Sequence, residues 1–106
     1  MSAYKKKIFF ACSMGIDRSY SAKKIFEKDY ETYYAGVIRH SILYISNLAK
    51  KADYIIVMEE WHKEIIEKVT DKKIYVLNVS DGKVDEKKRN EIKIKVEKIL
   101  EELLEK

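Results

Sequence analysis

With 106 residues, 46% of them hydrophobic and 38% charged, the chain has room for one domain and the make-up of a folded globule rather than a disordered tail. Its formal charge of +4 is spread without a block of five like charges, which gives no reason to expect a nucleic-acid partner. A lone cysteine excludes an internal disulfide framework, and no apolar run approaches the ~20 residues of a membrane span, so the cytoplasm is the expected setting.

The first segment, "MSAYKKKIFFACS", has basic residues before an apolar run, but that run is too short for a secretory leader. Residues 7–11 (KIFFA) then read as a strand. Residues 19–28 follow with helical spacing, Ala22, Ile25 and Phe26 falling on one face. A second strand is predicted over residues 31–37 (ETYYAGV), and a helix over 40–51 that opens at His40, with Leu43 or Tyr44 aligned with Asn47 and Leu48. Residues 54–58 (YIIVM) give a third strand. In the helix predicted over 60–69, Trp61, Ile65, Ile66 and Val69 form the stripe, which reads Trp61 as core and His62 as surface. Residues 74–79 (IYVLNV) are the fourth strand. The last helix is the clearest, with Ile92, Val96, Ile99, Leu100 and Leu103 at three- and four-residue steps and Asp85 as its N-cap.

Strand and helix thus alternate four times. The first, third and fourth strands are nearly continuous Ile, Val, Phe and Tyr, as in strands covered on both faces. The pattern predicts an α/β fold: a single domain over residues 1–106 with a small doubly wound parallel sheet of four strands, right-handed crossovers and helices on both faces. In such sheets ligands collect outside the carboxyl ends of the strands. Cys12 stands just past the end of the first.

The loop that it opens reads "CSMGIDRS". A short turn between a strand and a helix can aim successive backbone N–H groups inward as an anion nest, and the helix start adds its positive end. Such surroundings favour the nucleophilic thiolate of a cysteine. Arg18 supplies a planar fork for two phosphate oxygens, Gly15 tolerates positive φ, and Ser19 can donate a hydroxyl bond toward the sulfur. The plain alternative is a small buried thiol that acts as a hydrophobe. An arginine six places and a serine seven places after a cysteine coincide by chance in roughly one case in a few hundred. That rarity, with the strand-loop-helix setting, favours the phosphate site.

Residues 12–19 match the C-x5-R-S loop of the low-molecular-weight protein tyrosine phosphatases, and the chain resembles that family over most of its length. "KIFFACSMGIDRSYSAKKIFE" looks like its first strand, phosphate loop and first helix; "YETYYAG", "ADYIIVMEEWHKEII" and "IYVLNVSD" are similar to its later strands and acid loop. The resemblance implies a cysteine-dependent, metal-independent phosphomonoester hydrolase, a protein tyrosine phosphatase that works through a phosphocysteine. It implies that Cys12 attacks phosphorus, that Arg18 and the amides of Ser13, Met14, Gly15, Ile16 and Asp17 hold the phosphoryl oxygens, and that Ser19 assists the departing thiolate. An aspartate after the last strand would protonate the leaving group. Asp81 is favoured because it directly follows that strand, whereas Asp85 is placed to cap the last helix; "SDG" is also ordinary turn chemistry.

The implied partner is a phosphorylated protein or small aryl phosphate, with no cofactor or metal. Two other readings attach to the same loop. One is a phosphocysteine carrier like a sugar phosphotransferase subunit, against which Arg18 argues. The other is a non-catalytic phosphate-binding or interaction domain, which the acid loop without its usual proline keeps open. An arsenate reductase that relays a disulfide needs further cysteines, and the chain has none.

Overall fold

The computed structural model describes residues 5–104; the opening residues 1–4 of the segment weighed as a leader lie outside them. Eight elements alternate: β1 (Lys7–Cys12), α1 (Arg18–Phe26), β2 (Glu31–Gly36), α2 (Ile42–Lys51), β3 (Tyr54–Val57), α3 (Glu60–Ile66), β4 (Ile74–Val76) and α4 (Glu86–Leu104). All strand pairs are parallel, in the order β2-β1-β3-β4.

The strand period of two sorts β1 onto two cores. Ile8, Phe10 and Cys12 join Ala22 and Phe26 of α1 and Ile92, Val96 and Leu100 of α4. Phe9 and Ala11 face the other way, onto Ile45, Leu48 and Ala49 of α2 and Ile66 of α3. Ile8, Phe9 and Phe10 are sealed from solvent, each contributing about 1.5–3 kcal/mol of burial. This is why the run is apolar without alternation. Both of its faces are interior.

Register then places the site. Cys12 pairs with Gly36, and Ala11 with Val57, so the carboxyl ends of β1, β2 and β3 form one edge. From β1 the chain crosses through α1 to β2, and from β3 through α3 to β4, in the opposite direction along the sheet. The loops after β1 and β3 therefore diverge and leave a crevice between them, the usual ligand position in such sheets.

Several sequence expectations are corrected. β4 stops at Val76, because Asn78 adopts φ 60°, a left-handed value that breaks the strand. Its path still follows β3, with Leu77 N–H donating to the Val57 carbonyl and Val79 N–H to that of Met58, each at 2.9 Å. In α2 the inward face is Ile45, Leu48 and Ala49; Leu43, Tyr44 and Asn47 point outward. That helix begins after Ser41, whose hydroxyl accepts from Tyr44 N–H at 3.2 Å, and not at His40. In α3 the roles of two neighbours are exchanged: His62 is 0% exposed and Trp61 38%. Asp85 does cap α4, its carboxylate accepting from Lys88 N–H at 2.9 Å. That bond is the main reason its carboxyl is held below the usual aspartate range.

Candidate active site

The loop after β1 is a closed turn around the Cys12 sulfur. Gly15 N–H donates to Sγ at 3.2 Å, and Ser19 Oγ lies 3.1 Å from it. The sulfur is buried, but with polar partners, so it is not a thiol packed only among aliphatic chains. Val37 and Ile38 N–H donate to the carbonyls of Cys12 and Ser13, each at 2.9 Å, tying the loop's first residues to the end of β2. Gly15 takes φ 72°, as its residue type allows, and its backbone sits against that of Gly36.

Arg18, the first residue of α1, turns inward and is 2% exposed. One of its terminal nitrogens, Nη1, donates to the Glu59 carboxylate and, at 2.7 Å, to the Val79 carbonyl. The other, Nη2, donates to Ser13 Oγ at 3.0 Å and stands 3.5 Å from Asp81 Oδ1. Asp17, its acidic neighbour in sequence, is exposed and is not its counter-ion. That role falls to Glu59.

Ser13 Oγ also lies 3.0 Å from His62 Nε2. His62 Nδ1 accepts from Glu59 N–H at 3.0 Å, so this nitrogen carries no proton and Nε2–H is the donor to Ser13. The ring is neutral for two physical reasons. Burial is the larger and the nearby Arg18 guanidinium the second; together they bring its pKa down to about 4 from 6.5.

The structure thus brings Cys12, Ser13, Gly15, Arg18, Ser19 and Asp81 together. It leaves the side chains of Met14, Ile16 and Asp17 on the outside of the turn. Asp81 is 80% exposed at the crevice and accepts from Gly82 N–H at 2.9 Å, whereas Asp85 belongs to α4. Glu59 was not singled out from the sequence, and His62 was read there as a surface residue. Their signal was topological, since "MEEWH" directly follows the strand that pairs with β1. Among the described residues no cluster of three His, Cys, Asp or Glu side chains has the geometry of a metal site. Likewise, no described helix is long and apolar enough to cross a membrane.

Two hollows flank the turn. One of about 520 Å³ is lined by Glu59, Glu60, Trp61, Glu64, Val79 and Ser80, beside the groups that hold Arg18. The other, about 260 Å³, is lined by Gly15, Ile16, Tyr20, Tyr34 and Arg39. Tyr20 and Tyr34 meet edge to face there, with centroids 5.3 Å apart.

No protein-family model and no curated protein matches the chain. Solved structures do. The tyrosine phosphatase Wzb from Escherichia coli K30, in complex with phosphate, superposes with a TM-score of 0.72 at 18% identity, covering 94% of this chain and 99% of its own. The YwlE arginine phosphatase from Geobacillus stearothermophilus gives 0.65 at 19%, covering 93% of each chain. A YwlE mutant with a phosphorylated active site serine gives 0.63 at 19%, covering 92% of this chain and 95% of its own. At these identities the likeness is one of architecture, and the chain has the fold of the low-molecular-weight tyrosine phosphatases.

Proposed function

We propose that the chain is a cysteine-dependent phosphatase acting on phosphorylated protein or small aryl phosphates. The observation that carries this reading is the closed turn itself, with Cys12 Sγ at its base, Gly15 N–H and Ser19 Oγ on the sulfur, and the Arg18 guanidinium beside Ser13. The phosphatase neighbours support it, one bound to phosphate and one phosphorylated on an active-site serine.

In the proposed reaction the Cys12 thiolate attacks phosphorus, forming the S–P bond as the P–O bond to the leaving group breaks. Arg18 and loop amides balance charge on the equatorial oxygens. Asp81 gives its proton to the leaving oxygen, then takes one from the water that cleaves S–P. Inorganic phosphate departs and the thiolate returns, with Ser19 Oγ as its hydroxyl partner.

An aromatic phosphoester is supported by the Tyr20–Tyr34 hollow at the edge of the turn. A second substrate reading, phosphoarginine, is favoured by the acidic lining of the other hollow, where Glu59, Glu60 and Glu64 surround Trp61. The deciding experiment is hydrolysis of aryl phosphate and of phosphoarginine by wild type and Cys12→Ser in the presence of a chelator. The reading requires turnover in wild type and none in the variant. Turnover that survives the substitution, or that needs added metal, overturns it.

A further inference from the structure

The residues that hold the two ends of the turn come from one place. Ser13 is near its beginning and Arg18 near its end, five residues apart. The corner between β3 and α3 reaches both, with the Glu59 carboxylate on Arg18 Nη1 and His62 Nε2–H on Ser13 Oγ. Glu59 and His62 are also tied to each other through Glu59 N–H and Nδ1. Ser13 Oγ accepts from Arg18 as well, which closes a ring of contacts through Arg18, Glu59, His62 and Ser13.

This ring decides which hydrogens the guanidinium has left. Arginine has five N–H donors. Both on Nη1 are directed to Glu59 and Val79, and one on Nη2 to Ser13. Among the described residues' contacts, one Nη2 hydrogen and Nε–H remain, enough for two oxygens of a phosphoryl group. Asp81 Oδ1 stands 3.5 Å from Nη2, beside that remainder.

We propose that Glu59 and His62 are positioning residues, a brace from the β3–α3 corner that fixes Arg18 and Ser13 before substrate arrives. The proposal rests on the phosphatase reading for its kinetic consequence and on geometry alone for its structural one. Glu59 is more than a counter-ion in this arrangement. A counter-ion role needs charge only, whereas a brace needs the guanidinium to be held in one orientation.

Glu59→Gln tests this, because it keeps the shape and leaves only an uncharged acceptor that holds the guanidinium less tightly. The brace predicts a fall in kcat of about 10- to 100-fold with KM changed by less than about threefold, the scale of a misplaced catalytic group. It also predicts that the Arg18 Nη1 and Nη2 resonances, resolved in wild type by nitrogen NMR, merge in the variant as the group rotates freely. His62→Phe, which removes the donor to Ser13, is expected to lower kcat in the same sense. A kcat within twofold of wild type in Glu59→Gln, accompanied by tighter inorganic phosphate binding, overturns the brace and leaves simple charge neutralisation. If wild type shows no turnover, the phosphatase reading fails separately. The NMR comparison then decides: merged lines uphold the brace and unchanged lines overturn it. The same spectra, recorded on His62→Phe, serve where Glu59→Gln does not fold.

Discussion

Gly15 and Gly36 meet backbone to backbone. A Cβ on Gly36 would stand 2.0 Å from the Met14 carbonyl carbon and 2.4 Å from Gly15 N; one on Gly15 would stand 2.5 Å from Gly36 N. These are overlaps with main chain, which no side-chain rotation relieves. The turn therefore keeps its shape by lying directly on the end of β2, the strand paired with β1 at Cys12. Gly36→Ala is expected to cost about 3 kcal/mol or more, lowering Tm by roughly 12 °C, as the turn is pushed off the sheet. Gly15→Ala adds the strain of φ 72° to a similar overlap. Thermal unfolding and phosphate titration measure both effects. A Gly36→Ala protein with wild-type Tm and phosphate affinity would show that the backbone contact is dispensable.

Asp81 and Asp85 are four residues apart and are expected to fail in different ways. Asp81 stands near Arg18, while Asp85 caps α4 through Lys88 N–H. Asp81→Asn is expected to lower kcat for aryl phosphate by about 10²- to 10⁴-fold at unchanged Tm, the usual worth of a positioned proton donor. Asp85→Asn is expected to keep kcat and, since asparagine also caps helices well, to keep Tm; Asp85→Ala lowers Tm only. A reversal of the two patterns would move the acid role to Asp85.

What the sequence made legible follows from which interactions are local. The turn at Cys12 could be read because eight consecutive residues carry its chemistry, and the alternating elements because the first, third and fourth strands are nearly continuous apolar runs. Gly15 was read for its φ, but the demand on Gly36 was invisible, since it arises from a turn more than twenty residues away. Glu59 and His62 escaped for the same reason: their partners Arg18 and Ser13 lie over forty residues back and meet them only through the pairing of β1 with β3. The exchange of Trp61 and His62 has a different cause. In a helix of seven residues one position is a rotation of about 100°, and a polar ring with both nitrogens hydrogen-bonded outweighs an indole on the inward face.

Ser19 touches the sulfur and is itself fully buried. A hydroxyl bonded to a charged group is worth about 1.5–3 kcal/mol, or roughly 10- to 100-fold in a rate that depends on it. In the proposed reaction the thiolate is regenerated when water cleaves S–P, so Ser19→Ala is expected to slow that step most. Rapid-mixing kinetics with an aryl phosphate should then show a burst of phenol near one equivalent followed by a slowed steady state. A variant with no burst and unchanged kcat would remove Ser19 from the leaving step.

His62 gives the fold a dependence on acid. Its pKa is about 4 in the folded protein against 6.5 for the free side chain, so between those values the unfolded chain takes up a proton that the folded one refuses. Stability is therefore full above about pH 6.5 and falls as pH drops toward 4, by up to about 1.4 kcal/mol per unit and roughly 3 kcal/mol in all. The charged groups that face the ring are Arg18, which opposes its protonation, and Glu59 and Asp81, which favour it; burial outweighs them. Protonation would also put a hydrogen on Nδ1, where Glu59 N–H now donates, and so break the corner that holds Ser13. Urea unfolding of wild type and His62→Phe at pH 7, 6, 5 and 4.5 isolates this contribution. The wild-type curve is expected to fall more steeply than that of the variant across the window. Parallel curves would mean that the ring takes up its proton equally in both states.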